Sequence, residues 1–299
     1  MSTPALFFFA VAIWGSTWIA ITFQLAAAAP ETGVAWRFLC AAALLAAYCL
    51  WRGVPLRFSR RMHALFAAQG LTGFAISYVF VYHAERFIVS GLVAVGYAAS
   101  PLVNLVLARA LFGTRMSRRV AAGGVLGLAG IATIFGREFA RLDLHGPVAI
   151  GAAFTIGAVL LSGLASMAAT RYHTLGVSGW GPLAWAMGYG GAATLAIALA
   201  LGRPLGFELG FASVASFVYL VVAGSILAFG AFFTLVARIG AARAGYVGVM
   251  VPIVALLISS VFEGYPWTWQ TFAGIALAVA GNVLALHRPA PARATAAAA

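Results

Sequence analysis

PLVNLVLARALFGTRMSRRVAAGGVLGLAG, residues 101–130, and PIVALLISSVFEGYPWTWQTFAGIALAVAG, residues 252–281, are one segment written twice, 151 positions apart. Pro101, Val103, Leu105 and Gly113 fall on Pro252, Val254, Leu256 and Gly264. Ala122, Gly123, Leu126, Ala129 and Gly130 fall on Ala273, Gly274, Leu277, Ala280 and Gly281. Nine identities in thirty positions, with a proline and three glycines in register, exceed what shared apolar composition supplies.

The surroundings of this pair decide the solvent. Of 299 residues, 64% are hydrophobic and 8% charged, with a mean hydropathy of +1.02. Such a chain has too little polar surface to coat a soluble globule. Apolar runs of about 20 residues, about 30 Å as helix, match the hydrocarbon thickness of a bilayer. Ten spans are expected: Pro4–Phe23, Thr32–Trp51, His63–His83, Phe87–Phe112, Val120–Phe135, Gly146–Thr170, Val177–Leu201, Phe211–Ala237, Ala241–Phe262 and Trp267–Leu286. The fold class is therefore an all-α polytopic membrane protein with ten transmembrane helices.

The repeat divides these spans into five and five. An odd number forces the second copy to enter from the opposite face, giving inverted repeats over 1–137 and 138–288. A Pro/Ala-rich cytoplasmic tail, 289–299, is expected to be disordered. Two related bundles of opposite orientation have nearly equal energies open to either side, which is the architecture of alternating-access carriers.

All eighteen cationic side chains are arginines. Odd-to-even assignment puts thirteen (Arg52, Arg57, Arg60, Arg61, Arg109, Arg115, Arg118, Arg119, Arg171, Arg238, Arg243, Arg288 and Arg293) on one face. Arg37, Arg86, Arg137, Arg141 and Arg203 lie toward the other. The positive-inside rule makes the first face cytoplasmic, both termini included, in a bacterial inner (plasma) membrane. All six acids, Glu31, Glu85, Glu138, Asp143, Glu208 and Glu263, fall on the outer side. The net charge of +12 then anchors the chain against anionic lipid and calls for no nucleic acid.

Cys40 and Cys49, about 13 Å apart along one helix, cannot bridge each other. His63, His83, His145, His173 and His287 are scattered at span ends or loops, without metal spacing. An intramembrane enzyme needs convergent carboxylates, a histidine cluster or a nucleophile–base pair, and none is evident. No catalytic residue, metal site or cofactor is expected, and a channel or receptor has no comparable need for the inverted repeat.

Trp14-Gly15-Ser16-Thr17 in span 1, Trp36-Arg37-Phe38 opening span 2, and the proline–glycine signatures of spans 4–5 and 9–10 together resemble the EamA-type family of the drug/metabolite transporter superfamily. The resemblance covers nearly the whole chain and implies ten helices in two five-helix repeats around a central cavity. Members often carry an acid at the end of span 4, where this chain has Gly113-Thr114-Arg115. Glu263 before Gly264 answers to it in the second half, as a structural cap.

Aromatic residues mark the expected cavity. Tyr78 and Tyr82 are one turn apart on one face of span 3, near His83, and the 151-residue shift maps them onto Phe229 and Phe233 in span 8. Trp14 and Trp18 form another such pair, flanking Ser16, and Tyr97 stands one turn before Pro101. Pro101 and Pro252 each delete a backbone hydrogen bond at equivalent places and are expected to kink and gate spans 4 and 9. Arg37 either snorkels to the headgroups, or closes an outer gate or meets a carboxylate. His83 beside Glu85, the one titratable pair near the membrane, either occupies an ordinary helix-end position or carries a coupling proton.

With no lysine and no ionised residue near a span centre, the cavity is expected to be uncharged and aromatic. Phosphorylated solutes are disfavoured. Small neutral or zwitterionic metabolites fit, above all amino acids with aromatic ones first, as in the YddG-like aromatic amino acid exporters of the resembled family. Threonine or homoserine and nucleobases are the alternatives in the same fold. Gly123, Gly127, Gly130, Gly274 and Gly281 supply surfaces for close helix packing, and a homodimer through them is left open.

Overall fold

The computed structural model describes residues 1–114, 118–140 and 146–286, with the side chains of all of these but 135–140, 241–243 and 286. Arg115, Arg141, Asp143, His145, His287, Arg288, Arg293 and the 289–299 tail lie outside the described residues. Among the described residues there is no strand. The helical spans are 1, Thr3–Leu25; 2, Pro30–Arg52; 3, Arg60–Ala84; 4, Ser90–Phe112; 5, Arg118–Ala140; 6, Pro147–Thr174; 7, Trp180–Ala200; 8, Phe211–Gly240; 9, Tyr246–Phe262; and 10, Trp269–Leu286. Spans 1–4 and 6–8 are long and apolar enough to cross a bilayer, and spans 9 and 10 are shorter apolar helices.

Local sequence sets the ends. Pro30 and Pro147 occupy first turns, where a missing N–H breaks no helical bond. Ser2 and Ser59 accept hydrogen bonds from the N–H groups of Ala5 and Met62. Gly113 and Gly264, repeat equivalents, end spans 4 and 9 with the same left-handed φ of +67°.

Two interior irregularities obey the repeat as well. Span 3 carries a π-helical stretch at Gly70–Ile76 and span 8 one at Tyr219–Leu227. Ser77 N–H reaches back to the Thr72 carbonyl, and Ala228 N–H to that of Ala223, which are the same positions 151 residues on. Such stretches widen a helix locally and recur at functional sites.

The prolines are equivalent in place but not in effect. Before Pro101 the helix tightens into a 3₁₀ turn at Tyr97–Ala99, and Ser100 N–H takes the Tyr97 carbonyl. Span 9 runs through Pro252 unbroken. The residue whose carbonyl meets the proline ring, four back, is Tyr97 in one copy and Gly248 in the other, and a glycine backbone yields more easily. The equivalent prolines thus sit in different local helix forms.

Packing follows the pseudo-twofold. Span 1 lies against spans 8 and 9; its counterpart, span 6, lies against 3 and 4. Spans 2 and 7, 4 and 9, and 5 and 10 pair with their own equivalents. In the last pair the backbones touch: a Cβ on Gly123 would lie 2.5 Å from the Gly281 carbonyl oxygen, and one on Gly130 2.5 Å from that of Gly274. Those glycine surfaces are thus occupied within one chain.

The buried core is continuous at the acid-bearing end, where it joins Phe38, Phe74, Tyr82, Leu92, Met187, Leu220 and Leu256. At the arginine-rich end it divides. One cluster holds Leu6, Ala10, Val11, Leu235, Val247 and Val251 from spans 1, 8 and 9. The other holds Met62, Phe66 and Tyr172 from spans 3 and 6.

Candidate substrate-binding site

Above that division the aromatic side chains converge. The Trp14 indole packs edge-on to Phe229 (5.2 Å between centroids), and its N–H donates to the Gly224 carbonyl at 3.2 Å. Phe229 continues to Phe74, then Phe74 to Tyr78 and Phe38, so rings from spans 1, 2, 3 and 8 form one chain. Trp18 meets Tyr97 of span 4 at 5.3 Å, and the Tyr97 and Ser77 hydroxyls lie 3.0 Å apart. Trp14, Trp18, Tyr78, Tyr97 and Phe229 are each half-buried.

Arg37 lies among these rings. It stands seven residues into span 2, about 10 Å along the helix, and is 2% exposed. The guanidinium stacks on Tyr78 at 4.9 Å and Phe38 at 5.1 Å, and Nε donates to the Ser225 hydroxyl at 3.2 Å. A Cβ on Gly224 would come 3.4 Å from Nη2, so glycine there admits the guanidinium against the span 8 backbone. Snorkelling is ruled out, because these contacts hold the head inward between spans 2, 3 and 8. The expectation of an uncharged cavity falls with it. Position along span 2 suggested a helix-end arginine, but the stem and head turn toward the interior.

The acid-bearing ends are sealed over this cluster by polar contacts. His83 Nε2 pairs with Glu31 at 2.9 Å, not with Glu85 as expected, and Arg203 reaches the same carboxylate at 3.3 Å. The expected His83–Glu85 pair fails because the imidazole stacks on Phe154 and turns toward span 2. The Thr32 hydroxyl and Trp36 indole donate to the carbonyls of Pro204 and Leu205. Glu263 accepts from Ser90 N–H and from the Ser90 and Ser259 hydroxyls, while Gly91 N–H donates to Ser259 Oγ. Glu263 thus caps span 4 from span 9, as a structural cap should.

Glu85 sits just beyond span 3. Thr22 donates to its Oε2 at 3.4 Å, and its Oε1 is buried without a partner. Burial first, then the nearby Glu263 carboxylate, holds the Glu85 carboxyl well above its ordinary value of 4.5, against the opposing pull of Thr22 and Arg37. An acid raised in the folded state costs nothing below its unfolded pKa, where both states are protonated. The cost grows as pH rises through and above that value. Glu85→Gln should therefore melt higher than the wild type by about 2 °C or more near pH 8, with the gap closing near pH 5. Detergent-solubilised thermal melts at the two pH values check this.

Other expected residues lie at the edge of the cluster or outside it. Ser16 turns to the far side of span 1 and meets the Tyr219 hydroxyl at 2.6 Å. Tyr82 is buried beside Arg37, and Phe233 packs on Trp180 and Phe229. Pro101 and Pro252 line small recesses against the span 5–10 pair, outside the ring cluster. The two recesses are repeat equivalents and read as space left behind the prolines. Phe38, Phe74, Phe232, Gly224 and Ser225 join the cluster without having been singled out. Of these, Phe38 stood in the Trp36-Arg37-Phe38 motif, and Phe74 had a signal one turn before Tyr78 on the same face.

A family model described as the EamA-like transporter family matches residues 1–136 and again 149–286. An uncharacterized transporter of Archaeoglobus fulgidus is 22% identical over 287 residues, covering 93% of this chain and 96% of the relative. A crystal structure of another protein superposes with a TM-score of 0.69 at 20% identity, covering 95% of this chain and 96% of that one.

Proposed function

The chain belongs to the EamA-like transporter family, and on that premise we propose that it exports small neutral or zwitterionic metabolites by alternating access. Amino acids, aromatic ones first, are the substrates. The two halves, 1–137 and 138–288, rock about the ring cluster, with the arginine-rich face and both termini in the cytoplasm of a bacterial cell.

The observation that carries this reading is the combination of one sealed end and one divided end around a set of half-buried aromatic rings. Trp14, Trp18, Tyr78, Tyr97 and Phe229 offer flat faces on which an aromatic side chain stacks. Thr22–Glu85 and Ser90–Glu263 tie the group formed by spans 1, 8 and 9 to the group formed by 3, 4 and 6. Those ties must open for solute to leave, while the divided clusters at the other end come together.

Proteoliposomes loaded with labelled phenylalanine, threonine or a nucleobase test the reading through saturable counterflow. Phenylalanine should show the highest flux. Trp14→Ala and Tyr78→Ala should each raise its half-saturating concentration about 3- to 10-fold, the loss of one or two ring contacts, with normal amounts of protein in the membrane. Wild-type kinetics in both variants would remove the ring cluster from the substrate path.

A further inference from the structure

We infer that Arg37, Tyr82 and Glu85 form a site for the head of a zwitterion. The guanidinium and the phenol take a carboxylate, and the Glu85 carboxyl oxygen accepts a hydrogen bond from an ammonium. This rests on the transport reading above and specifies which part of the solute is held, and by what.

Three buried atoms carry the inference. Among the described residues, Arg37 Nη1, Tyr82 OH and Glu85 Oε1 are buried from solvent without a well-formed hydrogen bond, the Tyr82 hydroxyl lying beside the Arg37 guanidinium. Buried polar groups are paired as a rule, so three such atoms in a single neighbourhood need an account. Arg37 is 2% exposed and Tyr82 1%. Nη1 and the phenol are donors, and Glu85 Oε1 is an acceptor. The set offers donors to a carboxylate and an acceptor to an ammonium.

Placement fits the same occupant. Tyr78, Tyr82 and Glu85 follow one another on one face of span 3 and the turn beyond it. Arg37 is pinned opposite them by Ser225 and by stacking on Tyr78. Arg37 and Glu85 are close enough to influence each other, yet no ion pair within 4.0 Å joins them. A ligand that bridges the guanidinium and the Glu85 carboxyl therefore adds interactions where the protein makes none. Phe74, Phe229 and Trp14 continue from Tyr78 toward the divided end and would receive the side chain of an amino acid held by its head.

A fixed guanidinium recognises a carboxylate through paired N–H groups, which lysine reproduces only in charge. In proteoliposomes carrying the wild type, phenylpyruvate lacks the ammonium and phenethylamine lacks the carboxylate. Each should compete with labelled phenylalanine at least tenfold more weakly than phenylalanine itself. R37Q should raise the half-saturating phenylalanine concentration at least tenfold and abolish the discrimination against phenethylamine. R37K should recover part of both, and Y82F, which keeps the ring, should cost about threefold, one neutral hydrogen bond. Should R37Q fail to fold by thermal melt, R37K and Y82F decide.

Phenethylamine competing as well as phenylalanine, or unchanged phenylalanine kinetics in R37K and Y82F, overturns the head site while leaving the transport reading intact. A wild type that carries no phenylalanine overturns both.

Discussion

Gly130→Leu should leave little folded protein, and Gly274→Leu should do the same. The two residues face each other where spans 5 and 10 cross, and a Cβ on either would lie 2.5 Å from the other's carbonyl oxygen. Backbone cannot swing aside as a side chain can, so the whole crossing must separate. Overpacking a tight site costs about 1–3 kcal/mol, and more where the obstacle is main chain. The pseudo-twofold repeats the contact at Gly123 and Gly281, so separation at one point strains the other. Membrane-inserted yield and melting temperature measure the loss. Gly127, one turn away, has nothing within 4 Å of a built Cβ, and Gly127→Ala should behave as wild type. Equal tolerance at Gly127 and Gly130 would mean the two spans are not packed backbone to backbone.

Much of this architecture was legible in the sequence, because a bilayer imposes length and apolarity on each helix separately. The shift of 151 residues then joined the spans without any knowledge of contacts. It marked the glycines of spans 5 and 10 as surfaces for close helix packing, but not that the two spans pack on each other. It did not foresee the π-helical stretches at Gly70–Ile76 and Tyr219–Leu227. Their hydrogen-bond pattern depends on what presses on spans 3 and 8 from outside, and no residue type announces it.

The candidate site was legible in part. Ring-bearing positions at i, i+4 pointed to Tyr78 and Tyr82, and the wide i, i+4 pair of tryptophans to the inner face of span 1. Arg37 was placed by its distance from the helix end, which carries no information about azimuth. Its side chain turns inward because Gly224 and Ser225 of span 8 make room and a partner for it. Those residues are nearly 190 positions away and have no local signature. His83 went to Glu31 and not Glu85 for the same reason: helix azimuth, not sequence distance, decides which charges meet.

Alternating access requires the acid-bearing seal to open in every cycle. Ser90 of span 4 and Ser259 of span 9 hold their hydroxyls 3.2 Å apart inside that seal, one from each half of the chain. Cysteines at both places, in a background where Cys40 and Cys49 are replaced by alanine, sit close enough to bridge through a bond of about 2.0 Å. The decisive measurement is substrate counterflow by this double-cysteine protein before and after oxidation, with bridge formation verified by mass. Flux should fall at least tenfold on oxidation and return with reductant. Undiminished flux through fully bridged protein would contradict a carrier whose two halves part at that end.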